Sequence, residues 1–453
     1  MTSSPSLYRE THAAEAFKRG VEAQLKGDLA LAVKEWRYAL ACMPRHLPAL
    51  YNVAVAEAMQ GETEAAAGHY QDLLAIDPDH KDALFNLANL KKRQGQDDAA
   101  RLLFKRLVET HPSFASGFVN FAKLCSDQGE IEEAETLLLR AIEIDPTHVI
   151  AHWNFAHLLL RSGRWKEGWR CYEWRLKIPG WMKPPCPAPA WSPSAQKGRV
   201  LLWNDQGRGD AIQFLRYPRL LAAQGWEVYL LLQEELCGLA ASAPGVSRVF
   251  SPREALPEVE AQAPLLSLPY RLGLEGPQDG GRVPYLASNR MEIPRRKALT
   301  VGVVWAGNRT FSNDASRSLP LSALAPLFDR EEIDWISLQY GADAKQIEEN
   351  NLSRKIVDLS PRLRTFSDTA AAVAAVDLVI CVDTAVAHVA GALGQPCWVM
   401  LPSRPDWRFA EDEKARLWYP SLRFFRQTQA HNGLDVVERL DAALREYLTN
   451  RER

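Results

Sequence analysis

One fixed period, repeated five times in the N-terminal part of the chain, limits the fold more than any other feature. Gly27, Gly61, Gly95, Gly129 and Gly163 recur at a constant step, and Pro44, Pro78, Pro112 and Pro146 recur at the same step. Ala32, Ala66, Ala100 and Ala134 keep it, and so do Gly20, Ala54, Ala88, Ala122 and Ala156. A unit this short cannot bury its apolar face alone, so neighbouring units must stack. The small residues let paired helices approach. Gly supplies the helix-ending conformation between them, and Pro stops the second helix.

With a small residue in helix A, Gly at the turn, Ala in helix B and Pro at the end, the period resembles the tetratricopeptide repeat. Five units fit, from about 13 to 179. The fifth degrades after Gly163 (RWKEGWRCYEWRL), as expected where a solenoid docks on another domain or is capped. A second ladder lies inside the first: Asn52, Asn86, Asn120 and Asn154 share one position of helix A, where repeat one has Lys18. In a right-handed superhelix such positions line the concave groove. An amide offers donor and acceptor together and can pair with a peptide backbone without reading its sequence. The ladder resembles that of the O-linked N-acetylglucosamine transferases. Asn also serves local contacts at this position, and both roles stay open.

Composition narrows the class further. The chain is 47% hydrophobic and 24% charged with a formal net charge of −2, so no basic field of nucleic-acid scale exists. No uninterrupted apolar stretch is long enough to span a bilayer, and the Met-Thr-Ser-Ser-Pro start lacks the parts of a signal peptide. The seven cysteines are scattered and form no C-x-x-C, which fits a reducing cytoplasm and argues against structural zinc.

Pro179 to Gly198 is Pro-rich and reads as a stiff extended connector pinned by Trp181 and Trp191. A βαβ unit follows: strand Val200 to Trp203, a tight loop DQGRGD (205 to 210), a helical pattern from Ala211 to Gln224, and strand Trp226 to Leu232. Gly207 and Gly209 allow backbone N–H groups to converge at a helix N-terminus, favouring an anion or sugar hydroxyls. The loop is not a dinucleotide fingerprint, because Ile212 stands at the third glycine position. Asp210 can serve there as a helix-dipole contact or as a general base.

A new sheet begins with KALTVGVVW (297 to 305). The loop AGNRTFSNDASRS follows, in which Arg309 and Arg317 are candidates for diphosphate oxygens. The strand IDWISLQ ends at Gln339, and a helix lies near 366 to 375. The stretch 381 to 406, CVDTAVAHVAGALGQPCWVMLPSRPD, then reads as strand, loop, helix, strand and loop. Asp383 and Thr384 stand at a strand's carboxyl end and head a helix. An open α/β sheet holds anions or nucleotides at such a place, and the pair can equally be only a helix cap. Asp406-Trp407-Arg408 comes after the last of these strands, and a helix from about 433 closes the chain.

These segments together resemble bacterial tetratricopeptide-repeat proteins that carry a GT-B glycosyltransferase domain. The carrying stretches are LLWNDQGRGDAIQFLRY (201 to 217), VGVVWAGN (301 to 308), NDASRSLPL (313 to 321), ISLQYG (336 to 341) and CVDTAVAHVAGALGQPCWVMLPSRPDWRF (381 to 409). The Gly-Asp loop and the Asp-Thr-x-x-x-His motif look like those of the ADP-heptose:lipopolysaccharide heptosyltransferases. The domain order looks like the O-linked N-acetylglucosamine transferases. The resemblance implies an α-solenoid over 1–180, a linker over 181–198, an acceptor-side Rossmann-like domain over 199–296 and a nucleotide-sugar domain over 297–453.

It places Asp210 on the catalytic base, within the active-site loop Gly207, Arg208 and Gly209. Asn308, Arg317, Gln339, Asp383, Thr384 and His388 fall on the donor side. The loop departs from the group's usual Glu-Gln-Gly-Leu-Gly-Asp, and Arg208 adds a cation that lowers the pKa of Asp210 or binds an anionic substrate. The chemistry implied is inverting, metal-independent transfer of a sugar from a nucleotide-sugar, with no further cofactor. The expected acceptor is a protein or peptide held by the repeats, flagellin or another surface protein among them, in the cytoplasm. No nucleic acid partner and no membrane span are expected. A glycan or lipid-linked acceptor, or a non-catalytic scaffold with a vestigial GT-B domain, are the alternatives.

Overall fold

The computed structural model describes residues 5–311, 314–428 and 433–451. Contacts divide the chain into two compact units, Met1–Phe155 and Ala156–Arg453, with the division inside the helix Val149–Arg161.

The first unit is a series of helical hairpins. Its helices are Pro5–Leu25, Leu29–Cys42, Leu47–Gln60, Thr63–Ile76, Lys81–Arg93, Asp97–Thr110, Ala115–Gln128 and Ile131–Ile144, followed by Val149–Arg161. Through Ile144, each packs on the next in sequence. The period has direct structural causes. Gly27, Gly61, Gly95 and Gly129 all have φ between 72° and 85°, the left-handed region that closes a helix cheaply only at glycine. Each Pro stands just beyond the end of a second helix. A Cβ on Gly20 would run into Trp36, and Ala54, Ala88 and Ala122 are buried at the equivalent position.

The second unit takes in the end of the helix Val149–Arg161, then the helix Trp165–Tyr172 and a 3-10 turn, Glu173–Lys177. Two sheets follow. The first contains β1 (Arg199–Trp203), β2 (Glu227–Leu231), β3 (Val246–Phe250) and β4 (Ala261–Pro264) in the order β3-β2-β1-β4, all parallel. The second contains β5 (Leu299–Val304), β6 (Ile333–Ser337), β7 (Ile356–Asp358), β8 (Leu378–Val382), β9 (Cys397–Leu401) and β10 (Leu422–Arg426). Its order is β10-β9-β8-β5-β6-β7, again all parallel. β5, β8 and β9 are buried along their whole length, as strands covered on both faces must be. The architecture is a repeat solenoid followed by an α/β region of GT-B type with two Rossmann-like sheets.

One difference from the sequence expectation has a plain cause. The helix expected over 211–224 is two helices, Arg208–Phe214 and Pro218–Ala223, because Pro218 lacks the N–H to continue and its ring crowds the preceding turn. The 179–198 segment is pinned at the tryptophans that the sequence singled out. Trp191 is buried and its N–H donates to the Gln262 carbonyl at 2.7 Å, beside β4. Among the described residues no helix is long and apolar enough to cross a membrane. All seven cysteines are free thiols. Ser312 and Asn313, part of the expected donor loop, lie outside the described residues.

Candidate active site

Strand order alone locates the site. In each sheet the chain builds outward from one strand, returns, and adds the next strand on the other side. Ligands of open parallel sheets bind beyond the carboxyl ends at that reversal. In the second sheet the reversal falls between β5 and β8, whose ends carry Ala306-Gly307-Asn308 and Asp383-Thr384. In the first it falls between β1 and β4, and the loop after β1 is Asn204 to Asp210. The two loops meet. A Cβ on Gly209 would lie 2.9 Å from His388 Cδ2 and 3.5 Å from the Ala385 Cα, so only glycine lets the first loop lie against the second sheet's helix.

Asp210 occupies the first turn of the helix Arg208–Phe214. Its Oδ2 accepts from the Gly207 N–H at 3.0 Å, so that N–H is engaged within the loop. Its Oδ1 lies 2.5 Å from Arg408 Nη2, in a residue carried by the other sheet. The cation expected beside Asp210 was Arg208, and here the structure corrects the sequence reading. Arg208 turns away to Glu235 at 2.5 Å, and Arg408 holds the place instead. Burial raises the Asp210 carboxyl above its ordinary range, Arg408 pulls it down, and Asp406 and Asp205 push it up.

Arg408 is fixed on every side. Its Nε donates to Gln213 Oε1 at 2.7 Å and its Nη1 to Asp406 Oδ1 at 2.8 Å, with the guanidinium stacked 4.1 Å from the Trp407 ring centre. Burial opposes its charge, yet Asp210 and Asp406 raise its pKa above the arginine norm. Burial would also raise Asp406, but Arg408 outweighs it and holds that carboxyl below its usual range.

On the donor side, Arg317 reaches the residue that follows β8. Its Nη1 donates to the Asp383 carbonyl at 2.9 Å and its Nε to Asp314 Oδ1 at 3.1 Å. Asp383 is pushed up to about 6 by burial and by Asp406, against Arg317 and Arg408. Thr384 is the N-cap of the helix Ala385–Leu393, its hydroxyl accepting from the Val386 N–H at 3.3 Å. His388 is buried between Phe409 and Tyr419, with Nδ1 3.0 Å from the Tyr419 hydroxyl. Burial, helped by Arg408, lowers its pKa to about 3, so the ring is a neutral donor or acceptor rather than a cation.

Other expected contacts are engaged elsewhere. Gln339 is buried with its amide fully used: Oε1 accepts from the Trp305 and Ala306 N–H groups, and Nε2 donates to the Ala306 and Tyr340 carbonyls. It shapes the loop after β5 rather than presenting its side chain. Asn308 Oδ1 accepts from the Thr310 N–H at 3.0 Å, a local turn. Arg309 is paired with Asp343.

In the repeats, Asn86 Nδ2 donates to the Tyr51 hydroxyl at 3.2 Å and Asn120 Nδ2 to Asn89 Oδ1 at 2.8 Å. All four ladder residues are partly exposed. Among the described residues one group has metal-ligand proximity, Cys125 with Glu130 and Glu133. Arg101 already pairs with both glutamates, and burial raises the thiol to about 12, so its donors suit no ion well.

Three families of contact were not expected from sequence. Arg408 and Asp406 are the first. The second is an aromatic cluster in which Trp169 meets Trp165, Tyr172, Phe214, Trp407 and Trp418. The third is the Arg175 clamp on Asp205, Nε donating to Oδ2 at 2.8 Å; Trp181, expected to pin the connector, donates through Nε1 to the same oxygen at 3.1 Å. The one available signal was Asp-x-Arg in the loop that follows β9.

Known proteins share both parts of the chain. Residues 17–81, 57–116 and 115–148 match tetratricopeptide-repeat family models. Residues 336–399 match the model for glycosyltransferase family 9 (heptosyltransferase). The chain joins tetratricopeptide repeats to a region that matches the glycosyltransferase family 9 model. The family 9 match takes in Asp383, Thr384 and His388 but not the Asp210 loop or Arg408.

Protein FlbA of Caulobacter vibrioides is 27% identical over 336 residues, 64% of this chain and 54% of that protein. The chain thus spans about half the length of that relative. Two solved structures are similar to part of the chain. MamA from Desulfovibrio magneticus shares 16% identity over 37% of this chain and 93% of its own, at TM-score 0.33. Pseudomonas aeruginosa PilF shares 17% over 38% and 78%, at TM-score 0.35. Neither bears on the fold assignment.

Proposed function

We propose that the chain is an inverting, metal-independent glycosyltransferase that moves a sugar from a nucleotide-sugar to a protein acceptor engaged by the repeats. The observation that carries this reading is the convergence of Asp210 from the first sheet with Arg408, His388 and Asp383 from the second, at the ligand end of both sheets. In this account Asp210 takes the acceptor hydroxyl proton as that oxygen attacks the anomeric carbon. The sugar–phosphate bond breaks, and the departing diphosphate is met by Arg317 and the N-terminus of the helix Ala385–Leu393. Neutral His388 contributes a hydrogen bond, not charge.

The test is transfer of sugar mass to a protein acceptor, followed by intact-mass spectrometry. Asp210→Asn should lose transfer by on the order of 10²–10⁴-fold. Full activity in that variant would remove the base role.

A second reading, with a glycan or lipid-linked acceptor, is favoured by the ladder itself: Asn86 and Asn120 already have partners within the repeats. Replacing Asn52, Asn86, Asn120 and Asn154 with Ala separates the two. Loss of transfer with donor hydrolysis retained supports a polypeptide acceptor, and unchanged transfer supports the second reading.

A further inference from the structure

We infer that Arg408 is a positioning residue of this site, holding the Asp210 carboxyl from the opposite sheet and balancing its charge against the burial that disfavours it. The inference rests on the base role proposed for Asp210 and goes beyond it.

The argument is geometric. Asp210 and Gln213 share one helix face at i, i+3 spacing, and a single guanidinium reaches both. Arg408 is only 7% exposed, so its charge cannot be carried by water and must be met by its neighbours. Those are Asp210 and Asp406, with Gln213 and the Trp407 face completing the seat. The fork geometry of arginine allows this division, and the point charge of lysine does not.

Nη2 approaches Asp210 Oδ1 as an ion pair but outside hydrogen-bond geometry. The contact balances charge between the two sheets. Asp210 Oδ2 is held separately by the Gly207 N–H. One oxygen is therefore tied to the loop and the other to the opposing sheet.

The groups facing Asp210 are Arg408 and Asp406 beyond β9, Asp205 in its own loop, Tyr172 from the helix Trp165–Tyr172, and Asp383 after β8. Arg408 is the one cation that acts on it strongly among the described residues. Without Arg408, burial and three carboxylates would favour the protonated acid, which cannot act as a base.

The test follows the carbonyl stretch of a protonated carboxylic acid by infrared spectroscopy across a pH series. The part due to Asp210 is isolated by subtracting the same variant with Asp210→Asn. In Arg408→Gln this band should appear at higher pH than in the parent protein, by about 1–3 pH units. Arg408→Lys keeps the charge without the fork and should restore the parent titration only in part. The acid limb of transfer should move the same way.

Asp406→Asn keeps the cap and the Arg408 contact but removes a repelling charge, so the band should move to lower pH. This variant serves if Arg408→Gln does not fold. An Asp210 band at the parent pH in Arg408→Gln, or one unmoved or raised in Asp406→Asn, overturns the inference. Full transfer by Asp210→Asn would overturn the base role alone, because the infrared titration needs no donor or acceptor.

Discussion

Asp383 shows how a single residue records its site. Its carboxyl stands at about 6 because burial and Asp406 disfavour its charge more than Arg317 and Arg408 favour it. An unfolded aspartate titrates near about 3.9, so the folded chain binds the extra proton between those two values. Above about pH 6 the native state carries a charge it disfavours, and stability from this group declines as pH rises through that window. Asp383→Asn should therefore raise the thermal midpoint at pH 8, equivalent to about 1–3 kcal/mol, with the gain closing by pH 4. A gain equal at both pH values would show that crowding of charge is not the cause. At this scale the sequence was partly legible. Asp383, Thr384 and Asp210 stand at strand ends, where spacing finds them. Arg408 and Gln213 are 195 residues apart, and no local pattern announces that contact.

At the scale of elements, the repeats are capped by a residue type that sequence rules rank poorly. His46, His80 and His148 occupy the same position of their repeats, and each accepts through Nδ1 from a backbone N–H one turn on, in Ala49, Ala83 and Ala151. Phe114 takes that position in the repeat between His80 and His148 and makes no such bond. Their rings also extend the core: Phe17 packs on His46, Tyr51 on His80, and Phe85 on Phe114. An accepting Nδ1 must be unprotonated, and burial lowers the His46 pKa. Its contribution is present above the unfolded value near about 6.5 and is lost as pH falls through the lower folded value. Hydrogen exchange over residues 47–60 should quicken between pH 7 and pH 5 after correction for intrinsic rates. His46→Ser, which caps without titrating, should abolish that change. Equal pH dependence in both proteins would contradict the cap.

The helix Trp165–Tyr172 carries a second prediction at this scale. Its sequence reads as a decayed repeat, and its Trp residues instead form part of the α/β core with Trp407 and Trp418. Trp169→Ala should destabilise that unit by about 3–5 kcal/mol, seen in thermal unfolding and in lost near-ultraviolet dichroism. A change below about 1 kcal/mol would mean that the cluster packs loosely. The decay of the pattern was visible in sequence. What replaced it was not, because aromatic packing has no periodicity to read.

For the whole molecule, both parallel sheets place their reversal points where their loops can meet, and the chemistry follows from that topology. The order of elements was legible because βα alternation and the repeat period are local patterns. The meeting of the two loops was not, since it depends on Gly209 allowing one loop to approach His388 and Ala385, on a helix in the other sheet's half of the unit. The account stands or falls on a nucleotide-sugar binding there. Thermal shift of the full chain against UDP-, GDP-, ADP- and CMP-sugars tests this directly. One of them should stabilise the protein saturably, by about 2.7 kcal/mol at a hundredfold excess over Kd, with Arg317→Ala weakening the response. No shift with any of the four would contradict the account.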